Sequence, residues 1–140
     1  MGTAAGEAER RLRGALGRPT SADNEPGCNG EKGRQLIWGE GELVIYMLAE
    51  GGAGAALSGW SASRTQRFDF RFPYGTRLGE SAMATQRRVP RSRGTGVTEG
   101  EFAESYIVDT PERPGLAWIA RRASAREPIT EVVYNPVGCD

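Results

Sequence analysis

The sequence predicts an α+β fold, in which an antiparallel sheet of about five or six strands packs on one short helix and a disulfide closes the domain. Three observations lead to this prediction. The apolar, β-branched segments are short and separated by turns rich in glycine and proline, which favours antiparallel pairing. One internal segment has clear helical capping signals. The two cysteines, Cys28 and Cys139, bracket all of these segments.

The first 27 residues differ in character from the rest. Within 5–16, the small and apolar residues recur at helical spacing, and the Gly-Arg-Pro sequence that follows would end such a helix. Residues 19–30 are mostly turn-forming. We therefore predict a flexible lead over 1–27, with a short helix at 5–16 as the alternative to coil, and one domain over 28–140.

Two segments carry the strand signals of the first half. The run 43–48 is entirely apolar or aromatic, which predicts a buried strand with core on both faces. Across 68–72, three phenylalanines alternate with polar residues, the period of a strand with one face on a core. A glycine-rich loop lies between them at 50–59.

The second half contains the predicted helix. Ser81 is a candidate N-cap for a helix over 82–89, which Pro90 would end, and a loop is expected over 91–100. No internal repeat is visible. The remaining predicted strands lie at 106–109, 116–120 and 131–134.

Composition limits the available chemistry. Arginine plus lysine and aspartate plus glutamate both total 18, so the whole chain has no electrostatic attraction to nucleic acid or anionic membranes. Histidine is absent, which excludes Ser-His-Asp and Cys-His nucleophiles and histidine-ligated metal sites. We therefore expect no metal and no cofactor, and a charge-based partner must be recognised by a local patch.

The cysteines suggest an oxidising compartment. A bridge between Cys28 and Cys139 would close a loop of about 110 residues and stabilise the domain by roughly 4–5 kcal/mol in the chain-entropy model. The alternative is a reduced cytosolic pair, since two cysteines alone cannot hold zinc. No segment is long enough to span a membrane, and 1–27 lacks the apolar core of a signal peptide. We expect an extracellular or cell-surface protein whose signal peptide or anchor lies outside this sequence.

The order of several landmarks resembles that of a loosely defined class of small secreted or lipoprotein-like bacterial proteins. The landmarks are Cys28, LIWGEGELVIYM at 36–47, SGW at 58–60, YGTRLGES at 74–81 and the closing NPVGC.

A G-x-x-L-G-x-S turn before a short helix is similar to the turn in the superfamily of the outer-membrane assembly lipoprotein and the β-lactamase-inhibitor protein. The matching residues are Gly75, Leu78, Gly79 and Ser81. The helix departs from that pattern because Gln86, Arg87 and Arg88 are polar. The resemblance implies a binding or inhibitory module without catalytic residues.

An arginine cluster is the main candidate site. Arg87, Arg88, Arg91 and Arg93 fall within seven residues, with Arg77 nearby, and guanidinium groups suit a carboxylate, a phosphate or an anionic cell-wall polymer. The alternative is a solvated helix end whose cations complement the helix dipole. No aromatic residue is interleaved to stack on bases, so we expect no nucleic-acid binding.

Two other features have both a functional and a structural interpretation. Trp60 borders the glycine-rich loop and is the aromatic candidate for ligand contact, whereas tryptophans in strands, including Trp38 and Trp118, are usually core residues. The loop lacks the third glycine and the long helix of a dinucleotide site. Several acidic residues would permit a paired-carboxylate hydrolase, although loop solvation explains them as well. They are Glu40, Glu42, Glu99, Glu101 and Glu104.

These observations favour a monomeric extracytoplasmic binding or inhibitory module of the bacterial cell envelope, whose partner is a protein or an anionic polymer. A small carboxylate-based hydrolase is the first alternative. A structural domain appended to a secreted or membrane-anchored protein is the second.

Overall fold

The structure is a computed structural model that describes residues 5–24, 26–27, 30, 32–40, 42–48, 56–63, 70–100 and 102–135. Within these residues lie two helices, α1 (Ala5–Leu16) and α2 (Ala82–Arg88), and eight strands. The strands are β1 (Ser21–Asp23), β2 (Gly33–Trp38), β3 (Leu43–Leu48), β4 (Ala56–Ser63), β5 (Arg93–Gly96), β6 (Tyr106–Asp109), β7 (Leu116–Ala120) and β8 (Ile129–Tyr134). The α+β class and the antiparallel pairing are as predicted.

The chain divides into two compact units. The N-terminal unit comprises residues 1–62 together with 135–140, and the C-terminal unit comprises 63–134. Each unit contains one helix followed by a run of strands in which each strand pairs with the next, β1 to β4 in one and β5 to β8 in the other. The two units therefore have the same order of elements, although the sequence shows no repeat.

The core of the N-terminal unit lies on one face of its sheet. Leu36 is opposite Ile45, and Ile45 is opposite Trp60, so these three side chains share a face. Trp38 and Met47, two residues further along their strands, lie on the same face, and both are almost completely buried.

Helix α1 is held to this face by polar contacts. Glu9 forms an ion pair with Arg34 of β2 at 3.0 Å, and the Trp38 indole N–H donates to the carbonyl of Gly17 at 3.1 Å. Ala8 is buried, as expected for the apolar side of the predicted helix. The predicted helix at 5–16 is therefore present and belongs to the same unit as β1 to β4. The proposed boundary at Cys28 lies outside the described residues.

The core of the C-terminal unit lies between its sheet and α2. Val108, Trp118 and Val132 are opposite one another on three neighbouring strands and are fully buried. Helix α2 contacts β5, β6 and β7. Its buried residues, Ala82 and Thr85, are three apart and therefore lie on one side of the helix.

The number of strands corrects the prediction of five or six. Strand β5 lies within the segment predicted as a loop, and β1 lies within the predicted lead. Neither has an apolar pattern, since the sequences are RGTG and SAD, and each is a strand because it pairs with a neighbour.

The predicted strand at 68–72 is only partly within the described residues. Phe70 to Phe72 are described and lie outside any strand, next to a short 3-10 turn at Pro73–Gly75. Phe72 is nevertheless buried, and its ring centroid is 6.2 Å from that of Phe70. Residues 68 and 69 lie outside the described part.

Cys28 and Cys139 both lie outside the described residues. The disulfide, and the compartment inferred from it, therefore stay predictions.

Candidate anion-binding surface

Helix α2 begins where the sequence indicates. The Ser81 hydroxyl accepts a hydrogen bond from the backbone N–H of Ala84 at 3.1 Å, which is the interaction expected of an N-cap. The helix ends at Arg88, and Val89 is its C-cap directly before Pro90. Arg87 and Arg88 lie in the last turn, where positive charge complements the helix dipole.

The start of α2 is fixed to the segment before β8 by backbone hydrogen bonds. The N–H of Ala82 donates to Glu127 at 2.9 Å, and that of Met83 donates to Ala125 at 2.8 Å. Just before the helix, Ile129 donates to the carbonyl of Glu80 at 2.7 Å. These bonds hold the helix in one position on the sheet, so the arginines in its last turn also have a defined location.

Three arginines of the predicted site form surface ion pairs. Arg88 lies 3.0 Å from a carboxylate oxygen of Glu80, Arg91 is 3.5 Å from Glu112, and Arg93 is 3.3 Å from Asp109. The Arg91 and Arg93 side chains are 75% and 71% exposed, so each of these pairs contributes about 0–1 kcal/mol at most. A carboxylate or phosphate ligand can therefore replace the internal partner of Arg91 or Arg93 at little cost.

Arg77 and Arg87 differ from the other three. Both are exposed, and neither forms an ion pair with a carboxylate in the part of the chain that the structure describes. The Arg87 guanidinium has only a long contact of 3.5 Å with the sulfur of Met83, which is itself an exposed apolar residue. The site thus contains positive charge that the surrounding surface does not neutralise.

The structure adds Arg113 and Tyr74 to this surface. The guanidinium carbon of Arg113 lies 5.6 Å from the centroid of the Tyr74 ring, within cation–π range. Arg88 also reaches this place, donating to the carbonyl of Gly75 at 3.5 Å. No local sequence pattern marks these two residues as neighbours, because Arg113 lies in the turn between β6 and β7, far along the chain from Tyr74.

Tyr74 has an unusual backbone conformation. Its φ of 61° lies in the left-handed region, which bulky side chains rarely adopt. The ring is 6.3 Å from the buried Trp118 ring, so packing on one side and Arg113 on the other hold it in place. Outliers of this kind concentrate at functional sites.

We call Arg77, Arg87, Arg88, Arg91, Arg93 and Arg113 the arginine surface. Its members come from α2, the turn before it, the segment after it, the β6–β7 turn and the start of β5, where Arg93 lies on the sheet face that does not carry α2. The arrangement suits an extended anion with several negative groups, because separate guanidinium groups can each donate two hydrogen bonds to a carboxylate or phosphate.

Trp60, the aromatic candidate, belongs to the other unit. It lies in β4 of the N-terminal unit, is partly buried, and shares a sheet face with Ile45. Trp38 and Trp118 are core residues with hydrogen-bonded indoles, as expected for tryptophans in strands. Residues 49–55, which contain most of the glycine-rich loop, lie outside the described residues.

The acidic residues proposed for a hydrolase are divided between the units. Glu40 and Glu42 lie in the β2–β3 turn of the N-terminal unit, whereas Glu99 and Glu104 are exposed in the C-terminal unit. Glu101 is outside the described residues. One Glu42 oxygen is buried and has no hydrogen-bond partner within the described chain.

Among the described residues, Glu9 and Arg34 have shifted pKa values. The hydrogen bond from Arg34 lowers the pKa of Glu9, an effect that burial partly opposes and Arg13 reinforces. The same hydrogen bond raises the pKa of Arg34. The pair joins α1 to β2 and is therefore structural.

No group of three or more Cys, Asp or Glu side chains among the described residues could hold a metal ion, and neither helix of the described chain has the length and hydropathy to cross a membrane. Comparison with protein-family models, curated proteins and solved structures gave no match. The resemblance to the outer-membrane assembly lipoprotein superfamily therefore stays a prediction.

Proposed function

We propose that this protein is an extracytoplasmic binding module that captures an anionic protein or envelope polymer on its arginine surface. The observation that carries the proposal is the presence of six exposed arginines on and near one anchored helix, three of which have no carboxylate partner within the described residues, Arg77, Arg87 and Arg113. A chain with balanced total charge thereby has a local positive patch.

The geometry favours binding through several weak contacts. Each exposed ion pair can exchange its partner, and each additional carboxylate or phosphate of a ligand can engage another guanidinium group. Affinity should therefore increase with the number of charges on the ligand and decrease with salt, because exposed charges are screened over about 8 Å at physiological ionic strength.

The proposal is tested with poly-L-glutamate and inorganic polyphosphate as probes. A variant with R87Q, R91Q and R93Q removes three charges from the arginine surface. A matched control with R10Q, R11Q and R18Q removes three exposed charges from the N-terminal unit. We expect the first variant to bind both probes at least tenfold more weakly than the parent at 50 mM salt, and the control to retain parental affinity.

Calorimetric titration measures these affinities. If both triple variants lose affinity equally, the attraction is a general charge effect and the arginine surface has no special role. If the parent protein binds neither probe at 50 mM salt, the proposed function is wrong.

The proposed location outside the cytoplasm depends on the Cys28–Cys139 disulfide. Intact mass measured after thiol alkylation without reductant distinguishes the two states of the cysteines. Protein purified from its native compartment should take up no alkylating groups, and uptake of two groups would remove the basis for this location.

A further inference from the structure

Strand β5 is the last strand of the sheet among the described residues. It pairs with β6 on one side, and no described strand lies on its other side. The strand is mostly exposed and contains two glycines in four residues. Free edges of this kind can accept a further strand from another chain.

The register shows which backbone groups face outward. The N–H of Val97 donates to Ser105 at 2.8 Å, and Arg93 is aligned with Asp109 in the same register. Because hydrogen-bonded and non-hydrogen-bonded pairs alternate in an antiparallel ladder, Arg93 and Thr95 direct their backbone groups toward β6. The N–H and C=O groups of Gly94 and Gly96 therefore point away from the sheet.

Arginines lie at both ends of this edge. Arg91 and Arg93 are at its start. At its end, a Cβ on Gly96 would lie 3.6 Å from the Cβ of Ala123, so the neighbouring Arg121 and Arg122 are close to the end of the strand.

The positive charge beside the outer edge of β5 indicates which kind of strand could pair with it. Arg121 and Arg122 are exposed and form no ion pair with a carboxylate of the described chain, and the ion pairs of Arg91 and Arg93 are exposed and weak. Glu99 and Glu104 lie beyond the end of β5, in the connection to β6. An acidic segment would be attracted to this edge, whereas a second copy of the chain would bring the same arginines together.

We propose that β5 accepts an acidic peptide in extended conformation, which adds as a fifth strand to the sheet of the C-terminal unit. The backbone of the peptide bonds to Gly94 and Gly96, and its carboxylates pair with the flanking arginines. This inference rests on the proposed binding function and identifies the partner as a polypeptide rather than a cell-wall polymer.

Gly96 allows a test confined to one backbone group. Its N–H points outward, its φ is not in the left-handed region, and an added Cβ would make only ordinary contact. G96P therefore removes the donor needed by the peptide without breaking a bond to β6, while G96A retains the donor. Gly94 is unsuitable because an added Cβ would overlap the Tyr106 hydroxyl.

The probe is a synthetic decapeptide of alternating glutamate and valine, compared with inorganic polyphosphate. We expect the parent and G96A to bind the peptide with equal affinity and G96P to bind it at least tenfold more weakly. Polyphosphate, which cannot pair as a strand, should bind all three proteins equally. A decapeptide N-methylated at alternate residues should lose affinity for the parent to a similar degree, and this measurement does not depend on the folding of G96P.

The outcomes separate the two proposals. Equal peptide affinity for G96A and G96P, or full binding of the N-methylated peptide, would overturn strand addition and leave the arginine surface intact. A concentration-dependent dimer of the parent that G96P abolishes would also overturn it, in favour of self-pairing. Failure of both probes to bind the parent would overturn strand addition together with the proposed function.

Discussion

Two buried threonines of the C-terminal unit should respond in opposite ways to replacement by valine. Thr85 of α2 and Thr76 of the preceding turn are 0% and 1% exposed. The Thr76 hydroxyl accepts from the Trp118 indole at 2.9 Å and is 2.8 Å from the carbonyl of Pro73, to which it donates. The Thr85 hydroxyl has no hydrogen-bond partner within the described chain. The same substitution therefore removes a hydrogen-bonded hydroxyl at Thr76 and a hydroxyl without a hydrogen bond at Thr85.

The expected magnitudes follow from these contacts. A buried polar group without a partner costs roughly 1–3 kcal/mol, and valine has almost the shape of threonine, so T85V leaves no large cavity. We expect T85V to raise the free energy of unfolding by about 1 kcal/mol. T76V leaves the fully buried Trp118 N–H without an acceptor and should lower it by about 2 kcal/mol.

Urea denaturation followed by tryptophan fluorescence measures both changes. For a chain of this size, about 1 kcal/mol corresponds to a shift of roughly 2–4 °C in Tm, so thermal melting provides a second measurement. Both residues lie in one unit, and the same unfolding transition reports them. If T85V loses as much stability as T76V, the Thr85 hydroxyl has a hydrogen-bond partner in solution, and the prediction from its missing partner is wrong.

Two further predictions concern stability. Because the hydrogen bond from Arg34 lowers the pKa of Glu9, the ionised carboxylate stabilises the fold above the ordinary pKa of 4.5, and this stabilisation is lost as the pH falls through the lowered value. In thermal melts from pH 7 to 3, the Tm of E9Q should therefore fall less than the Tm of the parent. An equal fall in the two proteins would contradict this prediction. G94A should lower the free energy of unfolding by about 1–3 kcal/mol, because the new Cβ would overlap the Tyr106 hydroxyl. G96A is the control, since its Cβ makes only ordinary contacts. Equal urea midpoints for the two variants would show that the tyrosine moves aside freely.

Local patterns predicted several elements of the fold correctly. Helix α2 has its own capping serine and a terminating proline, so its bounds agree with the prediction to within one residue. Strands β3, β6 and β7 match the predicted segments because their apolar residues are contiguous. In each case the information lies within the segment itself.

Pairing-dependent features could not be predicted in this way. Strand β5 has no apolar side chain, and it is extended because its backbone pairs with that of β6. The hydrogen bond between Trp118 and Thr76 joins residues 42 positions apart. Neither feature has a local sequence signal.

The candidate site was also predictable only in part. The arginines of α2 and the segment after it were predictable because they are close in the sequence. Their carboxylate partners come from two separate parts of the chain, since Glu80 precedes α2 whereas Asp109 and Glu112 lie at the end of β6 and in the turn after it. The degree to which the arginine surface is neutralised therefore depends on the tertiary fold.

The two buried tryptophan indoles differ in their tolerance to mutation. Trp118 depends on the hydroxyl of Thr76, so a single codon change at that position can remove its acceptor. Trp38 donates to a main-chain carbonyl at Gly17, which every amino acid retains. The requirement at position 17 is its left-handed φ of 81°, which asparagine can also adopt. Random mutagenesis with selection for folded protein should thus leave threonine, or a residue with a similar acceptor, at position 76, and should yield both glycine and asparagine at position 17.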